Sequence, residues 1–341
     1  NCMSFVRNLT RRAFEPAAAA IAARFIPGAV LGVVHADGAR HVEHGGWSQV
    51  RPHPEALGRE TWFDLASLTK VIFTTTQILQ AAADGDLDLD APITTLLPDL
   101  RQYDAECWER QVTFRQCLGH QTPFPAVAPL YTYGQDPETL RAFILQREWV
   151  RGPAVYSDIN FILLGLALER LRGQSLGSMQ AGWGFSFSPP PDRCAATEFC
   201  TWRSQVMRGK VHDENAFALG SAGHAGLFGQ IDSILDFAHD LLAGQKVDRR
   251  SVALIKTAIS DTRTHGWERS HPGWSGGRTC SEHSIGHTGF TGTGLWIDFE
   301  QGLAWSLLTN RVHPSRHIET GIAKLRADVG DIVGAARGGL E

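Results

Sequence analysis

The chain has 341 residues, of which 43% are hydrophobic and 20% charged, as expected for one large globular domain or two closely packed ones. Its net charge is −4 and no long basic run occurs, so the charge pattern does not predict binding to nucleic acid or to an anionic membrane. The apolar stretch from Ala17 to Val34 is interrupted by Arg24, Pro27 and Gly28, so no membrane span is expected.

The first predicted element is a surface helix from about Ser4 to Phe25. Within it, Thr10-Arg11-Arg12-Ala13-Phe14 resembles the start of a twin-arginine export signal. Glu15 and Pro16 follow at once, however, and the apolar segment behind them is short. We therefore favour the helix, and the location of the protein stays open between cytoplasm and periplasm.

A β-hairpin is predicted next, because the runs Gly28–Ala36 and Ala39–Gly46 are joined by Asp37-Gly38. A polar loop over 47–62 leads to the string Phe63-Asp64-Leu65-Ala66-Ser67-Leu68-Thr69-Lys70-Val71-Ile72-Phe73. This string predicts a short apolar segment that turns into a helix at Ser67, and the helix is expected to end near Asp84-Gly85.

The middle of the chain, to about residue 270, is predicted to be mostly helical. Asp136-Pro137-Glu138 is typical of a helix start, and helices are predicted over 157–172 and 232–242, each ending at a glycine. Between them lies a glycine- and proline-rich stretch, 181–229, which is too long for a simple linker and indicates a functional or disordered loop.

The last part of the chain changes character. It predicts short strands at 284–289, 294–299 and 303–309, with Gln301-Gly302 as a hairpin turn, and a final helix from about His317 to Gly334. Strands near both ends of the chain can share one sheet only if the two ends come together.

Six cysteines are scattered through the chain without the spacing of a zinc finger or of a disulfide framework. Cys194 and Cys200 are close enough in sequence to pair, but free buried thiols are favoured.

Ser67 and Lys70 are the first candidates for chemistry, because residues three apart share one face of a helix. A serine at a helix start lies among unpaired backbone N–H groups that stabilise developing negative charge. A packed interior is expected to lower the pKa of Lys70, and a neutral amine beside a hydroxyl is a base beside a nucleophile. Lys70 is also the only lysine in the first 200 residues. The alternative is a capping serine followed by a solvated lysine.

The string Phe-x-x-Ala-Ser-x-Thr-Lys resembles the nucleophile motif of the serine β-lactamase and penicillin-binding-protein superfamily, especially its class C, D,D-peptidase and esterase branches. Tyr156-Ser157-Asp158 and His287-Thr288-Gly289 resemble its second and third motifs. Each motif is weak alone, but the three occur in the right order on the right elements, and the resemblance covers nearly the whole chain.

The resemblance implies an α/β (α+β) fold of the β-lactamase-like type, with an antiparallel sheet flanked by terminal helices and a helical domain. Residues 1–85 and 275–341 would form the discontinuous sheet domain and residues 86–274 the mainly helical domain, with the catalytic cleft between them. Ser67 would be the nucleophile, Lys70 and Tyr156 would move its proton, and the N–H groups of Ser67 and Phe290 would form the oxyanion hole.

Substrate contacts are also implied by the resemblance. Thr288 and Gly289 would lie on the strand that edges the cleft, where a glycine lets substrate approach closely. His287 stands where many relatives carry lysine and would contact an anionic or polar end of the substrate. As an ordinary histidine it is expected to titrate near neutral pH, so that carboxylate binding would strengthen as the pH falls.

Two departures from the family pattern stand out. Asp158 replaces an asparagine; an ionised aspartate cannot donate to a substrate carbonyl but can pair with Lys70, and Tyr-Ser-Asp also occurs in esterase-like members. His120 matches the first residue of a family loop with the pattern His-Thr-Ser-Gly-Leu, but Thr122-Pro123 stands where the Ser-Gly pair is expected, so the loop conformation, and with it one wall of the pocket, is in doubt.

A fourth stretch, made of Ala195–Glu198, Gly209–Ala216 and Ala222–Phe228, resembles a loop of β-lactamase-related proteins that reaches the cleft. His212, Asp213 and His224 would then line the pocket. Hydrogen bonds that tie down a long loop are the favoured alternative. A metal site is not favoured, because no helix-spaced His-Glu-x-x-His frame is present.

We therefore predict a serine hydrolase that acts on an amide or ester through an acyl-enzyme, without metal or organic cofactor. Its partner would be a small-molecule or peptide substrate, and the protein would be a monomer. The alternatives are a carboxylesterase of the same fold and a non-turnover penicillin-binding or sensor domain.

Overall fold

A computed structural model of the protein describes residues 1–134 and 136–336. One antiparallel sheet organises it, with strand order β3-β2-β1-β11-β10-β9-β8. Its strands are β1 (Gly28–His35), β2 (Arg40–Gln49), β3 (Glu55–Ala56), β8 (Glu268–Arg269), β9 (Ser284–Gly289), β10 (Thr293–Asp298) and β11 (Leu303–Thr309). Two small ribbons pair β4 (Phe63–Asp64) with β7 (Phe228–Gly229), and β5 (Phe199–Cys200) with β6 (Gln205–Val206).

The two ends of the chain meet in the middle of the sheet, where β1 pairs with β11 and Val30 faces Leu308. Successive residues of β1 enter different cores: Val30 and Val34 pack on one side of the sheet, Leu31 and Val33 on the other. Because side chains alternate along a strand, a strand buried on both faces reads as a continuous apolar run. The predicted sheet built from both ends is confirmed.

The helices are α1 (Cys2–Ala22), α2 (Thr75–Ala83), α3 (Phe114–Leu118), α4 (Pro137–Gln146), α5 (Asp158–Arg172), α6 (Glu214–Leu219), α7 (Ile231–Ala243), α8 (Arg249–Ile255) and α9 (Ile322–Gly334). Short 3₁₀ turns lie at Ile93–Thr95, Trp108–Gln111, Leu130–Tyr133, Leu176–Ser178 and Pro191–Arg193. The terminal helices α1 and α9 cover one face of the sheet with buried residues that include Val6, Leu9, Leu325 and Val329.

Helix α7 covers the opposite face. A Cβ on Gly32 of β1 would lie 2.7 Å from the Leu235 Cδ1 atom and 2.9 Å from the Ile231 Cγ1 atom, so the glycine allows the helix to approach the strand closely. Helix α7 thus packs on the sheet, although it lies within the predicted helical domain, 86–274. The division into 1–85 with 275–341 and 86–274 stays a prediction, and residues 337–341 of it lie outside the described chain.

Local signals placed several helix ends correctly. The Ser157 side chain caps α5 by accepting the N–H of Ile159, and Gly173 and Gly244 end α5 and α7 in the left-handed conformation. The final helix starts at Ile322, later than the predicted His317. The N–H of Arg316 instead donates to the Glu198 carboxylate, and the N–H of His317 donates to the Ser315 hydroxyl.

The stretch 181–229 is folded and carries β5, β6, β7 and α6. Its last strand, β7, pairs with β4 immediately before Ser67, so this stretch supports the nucleophile segment. The predicted loop over 47–62 is also partly strand, because β2 continues to Gln49 and pairs with β3.

All six cysteines are free, as favoured from the sequence, so the alternative Cys194–Cys200 disulfide is not formed. Within the described residues, no helix is long and apolar enough to cross a membrane.

Candidate active site

The nucleophile candidate, Ser67, lies in a tight turn between β4 and a helix. Ala66 takes a left-handed backbone conformation with φ of 48°, and its N–H donates to the Asp64 carboxylate at 2.8 Å. The N–H of Lys70 donates to the Ser67 carbonyl at 3.1 Å, which closes the turn. Ser67 is half-buried, so its side chain stays accessible at the surface of the site.

The helix after Ser67 does not begin as the regular α-helix predicted from the sequence. Lys70–Thr74 forms a π-helical turn before α2, and the Lys70 carbonyl accepts from both the N–H and the hydroxyl of Thr75, the latter at 2.7 Å. Such wide turns are rare in proteins, and those that occur are often found at functional sites. The bond from the Thr75 hydroxyl gives the Lys70 carbonyl a second donor within this turn.

Lys70 connects the candidate catalytic residues. Its Nζ atom donates to Ser67 Oγ at 2.8 Å, to the Tyr156 hydroxyl at 2.6 Å and to Asp158 Oδ1 at 2.7 Å. The Lys70 side chain is 0% exposed, so all three of its donors are used inside the protein. The structure therefore brings together Ser67, Lys70, Tyr156 and Asp158.

The charge state of Lys70 differs from the expected one. Burial alone would lower the pKa of Lys70, but the charge of Asp158 and the Tyr156 oxygen raise it above its ordinary value. The expected fall in the pKa of Lys70 is therefore wrong, because the nearby carboxylate outweighs burial. Lys70 is an ammonium in the resting site.

The start of α5 positions Tyr156 and Asp158 on either side of the capping residue Ser157. The Ser157 hydroxyl donates to the Pro125 carbonyl at 2.6 Å, and its N–H donates to His120 Nδ1 at 3.0 Å. The His120 ring packs against the Tyr156 ring with centroids 4.6 Å apart. Although the family Ser-Gly pair is lost, His120 still joins its loop to α5.

Strand β9 lies directly against the nucleophile turn. The hydroxyls of Thr291 and Thr293 donate to the carbonyls of Asp64 and Leu65, at 2.7 and 3.1 Å. A Cβ on Gly289 would lie 2.6 Å from the Leu65 carbonyl oxygen, so a larger residue there would push the two segments apart. The backbone of Phe290 thus lies beside the turn that carries Ser67, and Phe290 is 47% exposed.

His287 is 5% exposed, and its Nδ1 lies 2.9 Å from the Thr288 carbonyl. A carbonyl only accepts, so Nδ1 carries the proton and Nε2 has a free lone pair. Burial, together with the charges of Arg263 and Lys70, holds the pKa of His287 well below its usual range. The expected titration near neutral pH is therefore wrong: His287 is a neutral acceptor. Thr288 beside it is half-buried on the same strand.

His212 and His224 are both buried and bonded to carboxylates. His212 Nε2 lies 3.0 Å from Glu198, and the His212 backbone N–H donates to Asp64 at 2.8 Å. His224 Nε2 lies 2.7 Å from Asp213, which also caps α6. These bonds fit the favoured structural interpretation, and substrate contact by His212 or His224 stays a prediction.

Among the described residues, two groups of side chains lie close enough together to hold a metal ion. The ligand atoms of Asp158, Asp213 and His224 lie within 4.8 Å of one another, as do those of Cys2, His35 and Asp37. In the first group the carboxylates already pair with Lys70 and His224. The burial of His224 alone would lower its pKa, but Asp213 and Asp158 raise it, which favours a cationic imidazole over a metal ligand.

Two residues with a direct place in this site were not identified from the sequence. The Asp64 carboxylate accepts from the N–H groups of Ala66 and His212 and so orders the nucleophile turn. Aspartate often accepts the N–H of the residue two positions later in a turn, and this local signal could have indicated the role of Asp64. Arg326 of α9 donates to the carbonyls of Gly289 and Thr293, both at 2.9 Å. No local sequence signal connects Arg326 with β9.

Known proteins share this chain's sequence or fold. The family described as Beta-lactamase matches residues 11–328. The N-acetylmuramyl-L-alanine amidase of Bacillus subtilis (strain 168) is 29% identical over 358 aligned residues, covering 86% of this chain and 79% of that protein.

Two solved structures show the same fold. The class C β-lactamase from Rhodobacter sphaeroides superposes with a TM-score of 0.71 at 19% identity, covering 96% of this chain and 98% of that one. EstCE1, a hydrolase with promiscuous acyltransferase activity, gives a TM-score of 0.73 at 18% identity, covering 95% and 98%. The predicted fold class and superfamily are confirmed, and the chain belongs to the Beta-lactamase family of serine hydrolases.

Proposed function

We propose that this protein hydrolyses an amide or ester through an acyl-enzyme on Ser67. The observation that carries the proposal is the position of Lys70 Nζ, within hydrogen-bond distance of Ser67 Oγ, Tyr156 and Asp158. A nucleophile beside a buried proton-transfer group that is itself oriented by further partners is the arrangement that activates a serine.

Proton transfer in this proposal belongs to Lys70, Tyr156 and Asp158 as a unit. Lys70 is an ammonium at rest, so it accepts the Ser67 proton as it passes one of its own to the Asp158 carboxylate. The Tyr156 hydroxyl lies in the same network and relays a proton by giving up its own as it takes one from Lys70. The net change is one proton moved from Ser67 to the cluster, which titrates as a coupled group. The cluster then returns that proton to the leaving amine or alcohol, and water releases the acyl group.

The oxyanion in this proposal is held by the N–H groups of Ser67 and Phe290. The contact between Gly289 and Leu65 supports it, because it keeps the two backbone segments side by side. Donors fixed before the reaction stabilise the transition state without further reorganisation.

We propose an N-acetylmuramyl-L-alanine-type amide as the substrate. The similarity to the Bacillus subtilis amidase over 86% of this chain supports it. The neutral His287 supports it too. Its lone pair would repel a terminal carboxylate, whereas the lysine that many relatives carry at this position would attract one. A substrate amide or hydroxyl can donate to that lone pair.

A carboxylesterase is the second candidate. Asp158 accepts from Lys70 and, unlike asparagine, offers no N–H to a substrate amide. An ester substrate needs fewer polar contacts around its acyl group, so aspartate at position 158 favours an ester over an amide.

One substrate panel tests the function and separates the candidates. The wild-type protein and Ser67→Ala are each incubated with N-acetylmuramyl-L-alanine amide, whose carboxyl end is blocked, a D-Ala-D-Ala peptide, p-nitrophenyl butyrate and nitrocefin. We expect the muramyl amide to be cleaved with the highest kcat/KM, and Ser67→Ala to be inactive on all four. Preference for the butyrate would favour the esterase. A single burst followed by a stable adduct would indicate a non-turnover sensor, and activity in Ser67→Ala would overturn the proposal.

A further inference from the structure

The peptide group between Gly289 and Phe290 has contacts at both ends. Its carbonyl oxygen accepts from Arg326 Nη2 at 2.9 Å. Its N–H is the proposed oxyanion donor. In a trans peptide the N–H and C=O point in opposite directions, so Arg326 lies behind the peptide, on the side away from the reacting atoms. The same nitrogen donates to Thr293 at 2.9 Å and so holds both ends of the β9–β10 turn.

Arg326 brings an unusual charge to this position. It is 9% exposed on α9, and within the described residues no carboxylate pairs with it. Burial, with Arg311 nearby, lowers the pKa of Arg326 to about 9, so the side chain is still a cation at neutral pH. Burying a cation without a counter-ion costs free energy, and the only hydrogen bonds found for the Arg326 side chain within the described residues go to the β9–β10 turn.

We propose that Arg326 is a positioning residue for catalysis, which polarises the Gly289–Phe290 peptide and strengthens its N–H as an oxyanion donor. Hydrogen bonds in a chain polarise one another, and a charged donor on the carbonyl makes the N–H of the same peptide a better donor. The charge of Arg326 also favours the negative charge that develops on the substrate oxygen. The inference rests on the proposed function, because it requires Phe290 to face the oxyanion.

Arg311 offers a matched control. Its Nε donates at 2.9 Å to the Phe290 carbonyl, which belongs to the following peptide, whose N–H is that of Thr291. Replacing Arg311 removes a positive charge from the same turn but leaves the Gly289–Phe290 peptide polarised.

The test compares Arg326→Gln, Arg326→Lys and Arg311→Gln with the wild-type protein. For each we measure kcat and KM on p-nitrophenyl acetate and the inhibition constant of 3-aminophenylboronic acid, whose tetrahedral adduct with Ser67 places an oxygen in the hole. We expect Arg326→Gln to lower kcat about tenfold, less than the loss of a whole oxyanion donor. Its KM should stay within about twofold, and boronate affinity should fall in proportion to kcat/KM.

Arg326→Lys should recover most of the loss, and Arg311→Gln should stay within about twofold of wild type in every measurement. A wild-type kcat in Arg326→Gln would overturn the inference, as would a rise in KM without loss of boronate affinity. If Arg326→Gln does not fold, Arg326→Met removes the charge with an apolar, unbranched side chain and carries the same prediction. A wild-type protein without activity on any ester or amide would defeat the proposed function instead.

Discussion

At the scale of single residues, the ammonium of Lys70 controls the chemistry. It donates to Ser67, Tyr156 and Asp158 at once, and Asp158 keeps it charged. The pH at which the cluster can take the Ser67 proton therefore depends on Asp158.

Asp158→Asn should move the acidic limb of the kcat/KM profile to lower pH. The carboxylate raises the pKa of Lys70, so its removal lets Lys70 lose a proton at lower pH. Rates are measured from about pH 6 to about pH 11, because the pKa of Lys70 is raised above its ordinary value of 10.5. Asp328→Asn, which breaks the exposed Lys324–Asp328 pair on α9, is the matched control and should leave the limb in place. An acidic limb that is unchanged or moves to higher pH in Asp158→Asn would contradict the effect of Asp158 on the pKa of Lys70.

Tyr156→Phe should lower kcat by about a hundredfold or more, the scale of lost acid–base catalysis. The phenol oxygen lies 2.6 Å from Lys70, and phenylalanine keeps the ring against His120. Steady-state rates and far-ultraviolet circular dichroism measure activity and folding together. Tyr103, which is 91% exposed, gives the control variant Tyr103→Phe. A Tyr156→Phe protein with near wild-type kcat would remove the hydroxyl from the mechanism.

The neutrality of His287 predicts a flat response to pH. Its pKa lies well below the usual range, so the ratio of penicillin acylation to p-nitrophenyl acetate hydrolysis should not change between about pH 8 and pH 6. His287→Lys should raise that ratio at neutral pH, because it introduces a cation for the penicillin carboxylate. Parallel rate measurements give the ratio, and a rise on acidification in the wild-type protein would mean that His287 titrates in this range.

At the scale of elements, the site depends on two backbone segments that are both irregular. The π-helical turn Lys70–Thr74 sets the start of α2, and the end of β9 is pressed against the nucleophile turn. Asp64 connects the two, because its side chain holds Ala66 and its carbonyl accepts from Thr291. Small shifts of β9 would therefore reach Ser67 directly.

Gly289→Ala should reduce both activity and stability. The new Cβ would lie 2.6 Å from the Leu65 carbonyl and would also meet the Thr293 hydroxyl. Overpacking of this kind costs about 1–3 kcal/mol, and it would widen the gap between Phe290 and Ser67. Thermal unfolding and kcat/KM measure the two effects. Gly58→Ala, where a Cβ meets nothing within 4 Å, is the control, and equal behaviour of the two variants would show that β9 is not tightly held.

At the scale of the whole molecule, long-range contacts join distant segments around the candidate active site. The stretch 181–229 is tied to the region before α9 through Glu198, which accepts from Arg316 and lies 3.0 Å from His212. The ring of His212 in turn stacks on Phe290, with centroids 5.8 Å apart. We expect the protein to be a monomer, which sedimentation would test.

Glu198→Gln should destabilise the protein more at pH 7 than at pH 3, because part of the stabilisation by the Glu198 carboxylate is lost between these pH values. Burial alone would raise the pKa of Glu198, but hydrogen bonds from His212 and Arg316 lower it from 4.5 to about 2. A carboxyl group with a lowered folded-state pKa contributes stability above its unfolded value, and this contribution disappears as the pH falls towards the folded value. We expect Tm to fall by roughly 2 °C at pH 7. Exposed Glu106→Gln is the control, and an equal fall at both pH values would exclude the linkage.

The features that the sequence determined by itself depend on interactions between residues close together in the chain. The cap at Ser157, the glycine ends of α5 and α7, the apolar runs of the sheet and the spacing of Ser67 and Lys70 depend on neighbouring residues, so they can be read from the chain. The order of the three motifs likewise indicated the family that the comparisons confirm.

The tertiary structure alone decided the electrostatics of the site. The charge of Lys70 depends on Asp158, 88 positions away, and the neutrality of His287 depends on burial and on Arg263 and Lys70. Arg326 reaches Gly289 across 37 positions. Coulomb interactions and desolvation depend on distances through space, which residue spacing along the chain does not contain.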